Sequence, residues 1–159
     1  MSMIATRAAQ AGLAARIWNV LHEESGPEAA DAILAEAIRR DAEAAGASFA
    51  RLAQDKPSLQ HFATVLTRWQ EDNALVVQDV ILTESCLSFA VTDCLYARAY
   101  ADMGLQPELG FILSCSRDEP FARGYSPCLS MTRSQTIMQG APACMFTFHW
   151  NKHPFDHKT

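Results

Sequence analysis

The sequence predicts an α+β fold in which N-terminal helices pack on an antiparallel β-sheet with one or two inserted helices. Three observations carry this expectation. Apolar residues recur at helical spacing among many alanines through residue 72. From residue 73 onward, Val-rich and alternating runs take over, as strands require. These runs come as two pairs, each separated by three residues, Thr83-Glu84-Ser85 and Gln139-Gly140-Ala141, the spacing of hairpins.

Each element has its own warrant. Between Ala5 and Glu24, Leu13, Ile17, Val20 and Leu21 draw one apolar stripe on a first helix. Ser25-Gly26-Pro27-Glu28 joins a capping residue, a breaker and a proline suited to a first turn. A second helix is therefore expected from Glu28 to Ala44, stopping near Gly46, with Ile33, Leu34, Ala37 and Ile38 buried. After the break at Asp55-Lys56-Pro57-Ser58, Leu59, Phe62, Val65, Leu66 and Trp69 define a third helix through Glu71. Ala74 to Leu82 and Cys86 to Val91 are the first strand pair, with Leu87, Phe89 and Val91 on one face. Asp93 to Met103 returns to helical spacing and ends at Gly104, and Pro107 to Leu113 forms a short helix. A loop is expected around Ser116-Arg117-Asp118-Glu119-Pro120, then strands over Cys128 to Met138 and Pro142 to Trp150.

With 159 residues, 49% of them apolar, the chain is large enough to bury a core without disulfides or a structural metal. One domain, 1–159, is expected, with a helical part at 1–72 and an α+β part carrying the site at 73–150. Thirteen Lys and Arg against 18 Asp and Glu leave a formal charge of −5 and no basic run, so neither nucleic acid nor an anionic membrane surface is an expected partner. No stretch reaches the roughly 18 to 20 apolar residues of a membrane span. Arg7 and Arg16 stand where a signal peptide needs an apolar run, so a cytoplasmic protein is expected. The Ala-rich helices offer a surface for a homo-oligomer.

Five cysteines at irregular spacing, Cys86, Cys94, Cys115, Cys128 and Cys144, read as reduced thiols rather than a disulfide framework. Cys94 begins a helix, where free N–H groups and the macrodipole favour a thiolate; for a single cysteine the reading as a small residue packing the first turn is the favoured one. Asp118 lies three residues after Cys115 and is either a general base or a loop cap. Cys94, Cys115 and Cys144 satisfy the ligand count of a zinc site, but no CxxC pair is present, so no cofactor is expected and zinc is not favoured. His149, His153 and His157 recur at every fourth residue, yet Pro154 opposes a continuous helix, and a solvated tail is expected.

A set of motifs in fixed order adds to this reading. They are Cys94-Leu95-Tyr96-Ala97, Met103-Gly104 with Glu108-Leu109-Gly110, Cys115-Ser116-Arg117-Asp118, Gly124 and Pro127, Arg133 to Gly140, and Cys144-Met145-Phe146. Together, over roughly residues 60 to 148, they resemble the L-2-amino-thiazoline-4-carboxylic acid hydrolase family. The resemblance matches the three family cysteines to Cys94, Cys115 and Cys144 and the family aspartate to Asp118. It implies a small-molecule substrate, a cyclic amidine such as 2-amino-thiazoline-4-carboxylate, opened by water to an N-carbamoyl amino acid. Such chemistry needs a base, a proton donor and a cation for the carboxylate. On this reading Asp118 is the base, Cys115 or Cys94 the nucleophile and Tyr96 the proton donor. Arg133 is the carboxylate partner, and Thr136, Glu108 and Cys144 complete the substrate wall. Two other readings are a sensor-like binding module without turnover and a zinc-stabilised cysteine site.

Overall fold

A computed structural model describes residues 2–152. Helices α1 (Met3–Ser25) and α2 (Pro27–Ala50) fold back on each other around Gly26, whose φ of 87° suits a residue without Cβ. Ser2 caps α1, accepting from the Ala5 N–H at 3.2 Å, and the Trp18 indole N–H donates to Asp31 across the helix pair at 2.7 Å. Next come α3 (Leu59–Ala63) and α4 (Val65–Trp69), then strands β1 (Leu75–Leu82) and β2 (Cys86–Cys94). Helices α5 (Leu95–Asp102), α6 (Pro107–Leu113) and α7 (Asp118–Tyr125) precede β3 (Leu129–Arg133) and β4 (Cys144–Trp150). The architecture is α+β, with helices packed on a four-stranded antiparallel sheet of order β1-β2-β4-β3.

Both expected hairpins form, and β4 lies between β2 and β3. Leu87 pairs with Phe148 and Phe89 with Phe146, so alternation on both strands sends a continuous aromatic row toward the helices. Phe89 and Phe146 stack at 4.9 Å, and Phe62 of α3 meets Phe148 edge-on at 4.9 Å. Met145 and His149 point from the opposite face into solvent.

The core divides into two clusters. One joins the sheet to the end of α2, α3, α4 and α7 through Phe49, Phe62, Phe89, Tyr125, Phe146 and Phe148. The other joins α1, α2, α5 and α6 through Ala11, Ala15, Leu34, Tyr100, Leu109 and Leu113. Among the described residues, no helix is long and apolar enough to cross a membrane.

Several sequence expectations are corrected. Leu13, Ile17 and Val20 are 60%, 51% and 52% exposed, whereas Ala11 and Ala15 face inward, because small side chains let α1 approach the helices beneath it. On α2, Leu34 is buried, but Ile33 and Ala37 face solvent. The third helix breaks at Thr64, whose hydroxyl donates to the His61 carbonyl at 2.7 Å. The loop expected around Ser116-Arg117-Asp118-Glu119-Pro120 gives way at Asp118 to α7; Pro120 fits its first turn because that N–H has no intrahelical acceptor. The strand expected from Cys128 to Met138 stops at Arg133, and Ile137–Gln139 is a 3₁₀ turn.

Helix α2 also runs through Gly46 instead of ending there. A Cβ at Gly46 would sit 2.0 Å from the Phe121 carbonyl oxygen, and one at Gly124 would sit 2.1 Å from that of Glu43. The backbones of α2 and α7 therefore touch, and only glycine leaves room at the two contacts. Gly46→Ala and Gly124→Ala should each lower stability by at least the ~1–3 kcal/mol typical of overpacking, read as a fall in the thermal midpoint. An unchanged midpoint would show that the helices separate freely.

Candidate active site

A cavity of about 510 Å³ opens at the seam between the two core clusters, walled by Phe49, Val91 and Phe146 from one and Tyr100 and Leu113 from the other. Cys94, Tyr96, Cys115, Asp118, Arg133 and Cys144 all line it. They arrive from different elements. Cys94 ends β2 and caps α5, Cys115 opens the 3₁₀ turn after α6, Asp118 begins α7, Arg133 ends β3 and Cys144 begins β4.

Arg133 is the hub of the polar wall. Its side chain is 8% exposed; Nη1 donates to Asp118 at 2.5 Å and Nη2 to the Cys115 carbonyl at 3.1 Å. The guanidinium also lies over Phe146 and Phe111, at 5.2 and 5.5 Å from their centroids. Arg133, expected as the carboxylate partner, has each terminal nitrogen in one hydrogen bond to the protein. It orients the Asp118 carboxyl and the turn that carries Cys115.

Burial sets the protonation states. Asp118 is pushed up to about 6 by desolvation, although Arg133 and Arg117 pull it down. Cys115 is raised strongly by burial and then by Asp118, with Arg133 opposing. Cys94 Sγ accepts from the Ala97 N–H at 3.5 Å, as expected at a helix start, yet burial outweighs that bond and raises the thiol. Cys144 Sγ accepts from the Ile137 N–H at 3.2 Å and is likewise raised by burial. Tyr96 is raised by burial, against the pull of Arg7. At neutral pH the wall thus offers neutral thiols and phenols, and one carboxylate that is ionised about a unit above its midpoint.

Two expected contributors lie outside the lining. Glu108 is exposed on the first turn of α6, a position the helix dipole favours for a carboxylate. Thr136 is 3% exposed, and its hydroxyl is taken up by Gln139, accepting from the N–H at 3.3 Å and donating to Oε1 at 2.8 Å. Among the described residues, no group of three His, Cys, Asp or Glu is placed to hold a metal ion. His149 lies on β4, facing Thr132 across the strand pair at 3.3 Å; His153, Pro154 and His157 fall outside the described residues.

Other wall residues carry no motif of their own in the sequence. Trp69 and Phe121 complete the apolar side, and Arg7 and Arg117 add charge. Arg117 stands inside the Cys115-to-Asp118 motif, so adjacency was a signal. Arg7 precedes Ala11 and Ala15 by four and eight positions, on the true inner face of α1.

A family model described as L-2-amino-thiazoline-4-carboxylic acid hydrolase matches residues 6–148. The chain belongs to this family. The match to the aminothiazoline carboxylate hydrolases begins on α1, so it takes in Arg7 and the helix pair as well as the motif-bearing half. A comparison with curated proteins finds no match.

The charge balance at Asp118 is directly measurable. A carboxyl-carbon NMR titration should place its midpoint near 6. The positive charge of Arg133 favours the ionised form, so Arg133→Gln should move that midpoint upward, whereas Arg133→Lys, which keeps the charge, should hold it nearer 6. A midpoint near that of a solvated aspartate would show that the carboxyl is not desolvated.

Proposed function

We propose that this member of the aminothiazoline carboxylate hydrolase family opens a small cyclic amidine with water, converting 2-amino-thiazoline-4-carboxylate to an N-carbamoyl cysteine, with Asp118 as the proton carrier. The observation that carries the reading is the Asp118 carboxyl, held by Arg133 in a cavity also lined by the three family cysteines and raised to about 6. A base titrating near neutral pH combines a useful ionised fraction with real proton affinity.

The ionised Asp118 takes a proton from water as the water oxygen bonds to ring C2. The tetrahedral adduct then breaks its C2–S bond. The sulfur leaves with the proton returned by Asp118, the second water proton passes from the C2 hydroxyl to the ring nitrogen as the C2 carbonyl forms, and the exocyclic and ring nitrogens remain as the urea of the product. One water is consumed, and nothing is oxidised or reduced.

Direct attack by water is preferred over attack by Cys115 or Cys94, because burial raises both thiols and neither stands as a thiolate. In this reading the cysteines shape the wall. Tyr96, a phenol kept neutral by burial on the same cavity wall, is assigned the donation of a hydrogen bond to the departing sulfur or the developing urea.

Ring opening is read as a mass gain of one water on incubation with 2-amino-thiazoline-4-carboxylate. kcat/KM should rise with pH through about 6, because Asp118 must be ionised to accept the proton. Asp118→Asn should stay folded and lose roughly 10²- to 10⁴-fold in kcat. Cys115→Ser and Cys94→Ser should each retain kcat within about tenfold, a barrier change of ~1.4 kcal/mol. A 10³-fold loss in either, with substrate-derived mass trapped on the parent protein and absent from that variant, would replace the water route by a covalent one.

A further inference from the structure

The charges around the cavity do not balance. Its lining includes four arginines, Arg7, Arg68, Arg117 and Arg133, and a single carboxylate, Asp118, in a protein whose formal charge is −5. Asp118 is spent on Arg133. Arg7, from α1, and Arg117, from the 3₁₀ turn preceding α7, meet at one other acid, Asp41 of α2. Arg117 Nη2 donates to its Oδ2 at 2.5 Å, and Arg7 Nη1 lies 3.9 Å from the same oxygen. Arg7 is held by Gln10 as well, at 3.1 Å.

Asp41 is a weak neutraliser for this pair. Its side chain is 66% exposed, whereas those of Arg117 and Arg7 are 13% and 29% exposed, so the acid is the solvated member and the cations are the desolvated ones. Asp41 also stands on the α1–α2 groove of about 310 Å³ and not on the main cavity, while both arginines line the two spaces together. The two arginines thus stand between the spaces, with their one shared carboxylate on the groove side and Tyr96 and Tyr100 beside Arg7 on the cavity side. Burial, and then the neighbouring Arg117, lower the affinity of Arg7 for its own proton, a cost that an anion between the two would relieve.

We infer that Arg7 and Arg117 form the subsite that receives the carboxylate of the ring substrate. A planar carboxylate matches guanidinium donors, and a partly desolvated pair makes those hydrogen bonds strong. The placement also suits the chemistry. Arg117 precedes Asp118 in the chain and both line the same cavity, so an acid anchored there keeps its ring beside the proton carrier. The selectivity that follows is for small heterocycles bearing an acid on the ring, with neutral analogues bound weakly.

The role of this subsite rests on the ring-opening reading, but its existence is tested without turnover. Thiazolidine-4-carboxylate has the same ring atoms in saturated form, the same acid and no amidine carbon to attack, so calorimetry measures binding alone. The parent protein should bind it, and Arg7→Gln and Arg117→Gln should each weaken it roughly 10- to 100-fold. In turnover, each substitution should cut the preference for 2-amino-thiazoline-4-carboxylate over carboxylate-free 2-aminothiazoline by a similar factor, through KM rather than kcat. Equal loss for the acid and the neutral ring would assign the arginines to holding α1 and α7 together and overturn the inference. So would no loss for either, or no binding by the parent. If Arg117→Gln does not fold, Arg7→Gln decides alone, because it leaves the Arg117–Asp41 contact in place. Binding that follows these expectations without any ring opening would uphold the subsite and reject the proposed reaction; turnover without arginine dependence would do the reverse.

Discussion

The backbone contact between α2 and α7 is the constraint on which the site depends. Two helices whose main chains touch at Gly46 and Gly124 have little freedom to slide or rotate against each other, since either motion drives a carbonyl oxygen into the facing backbone. This crossing fixes where α7 begins. Asp118, its first residue, is thereby presented to Arg133 at the end of β3, and Arg117, one residue earlier, reaches Asp41 on α2. The interior glycine of α2 lowers local helix propensity by about 1 kcal/mol relative to alanine, and the close docking it permits offsets that loss.

Desolvation then decides the chemistry. The cavity lies where two apolar clusters meet, so titratable groups on its wall are stripped of water whichever element carries them. The same burial acts on Asp118 and on the three thiols, but its effects on function differ. A carboxylate raised to about 6 titrates close to neutral pH, while a thiol raised from an already high value stays protonated there. Arg133 is what keeps Asp118 from being pushed further. Its packing over Phe111 and Phe146 lets a cation occupy an apolar wall without leaving its charge unpaired.

Much of the fold was legible because periodicity is a local property. Leu87, Phe89 and Val91 announce a half-buried strand, and all three are buried. The break at Asp55-Lys56-Pro57-Ser58 does precede a helix, and its last residue, Ser58, caps α3, accepting from the His61 N–H at 3.1 Å. The same signal misleads where two faces of one helix both carry a plausible stripe. On α1 the larger residues, Leu13 and Ile17, advertise a face that packing leaves in water, while Ala11 and Ala15 make the contact. Gly46 and Pro120 are breakers by intrinsic preference, but one lies inside a helix against a neighbour and the other occupies a first turn that tolerates it. In the site, motif order singled out Cys94, Tyr96, Cys115, Asp118, Arg133 and Cys144, all of which line one cavity; Glu108 and Thr136 shared the motifs but are directed elsewhere.

The sequence by itself determined the α+β class, most element positions and the family, because composition, spacing and short motifs are written in neighbouring residues. Tertiary structure alone decided that β4 lies beside β2, that Arg133 turns to Asp118 rather than to open space, and that Arg7 of the first helix meets Arg117, 110 residues further along the chain, at Asp41. These are contacts between distant segments. Their energies depend on how much water each approach expels and which charges are left to face one another, and no local pattern encodes either quantity.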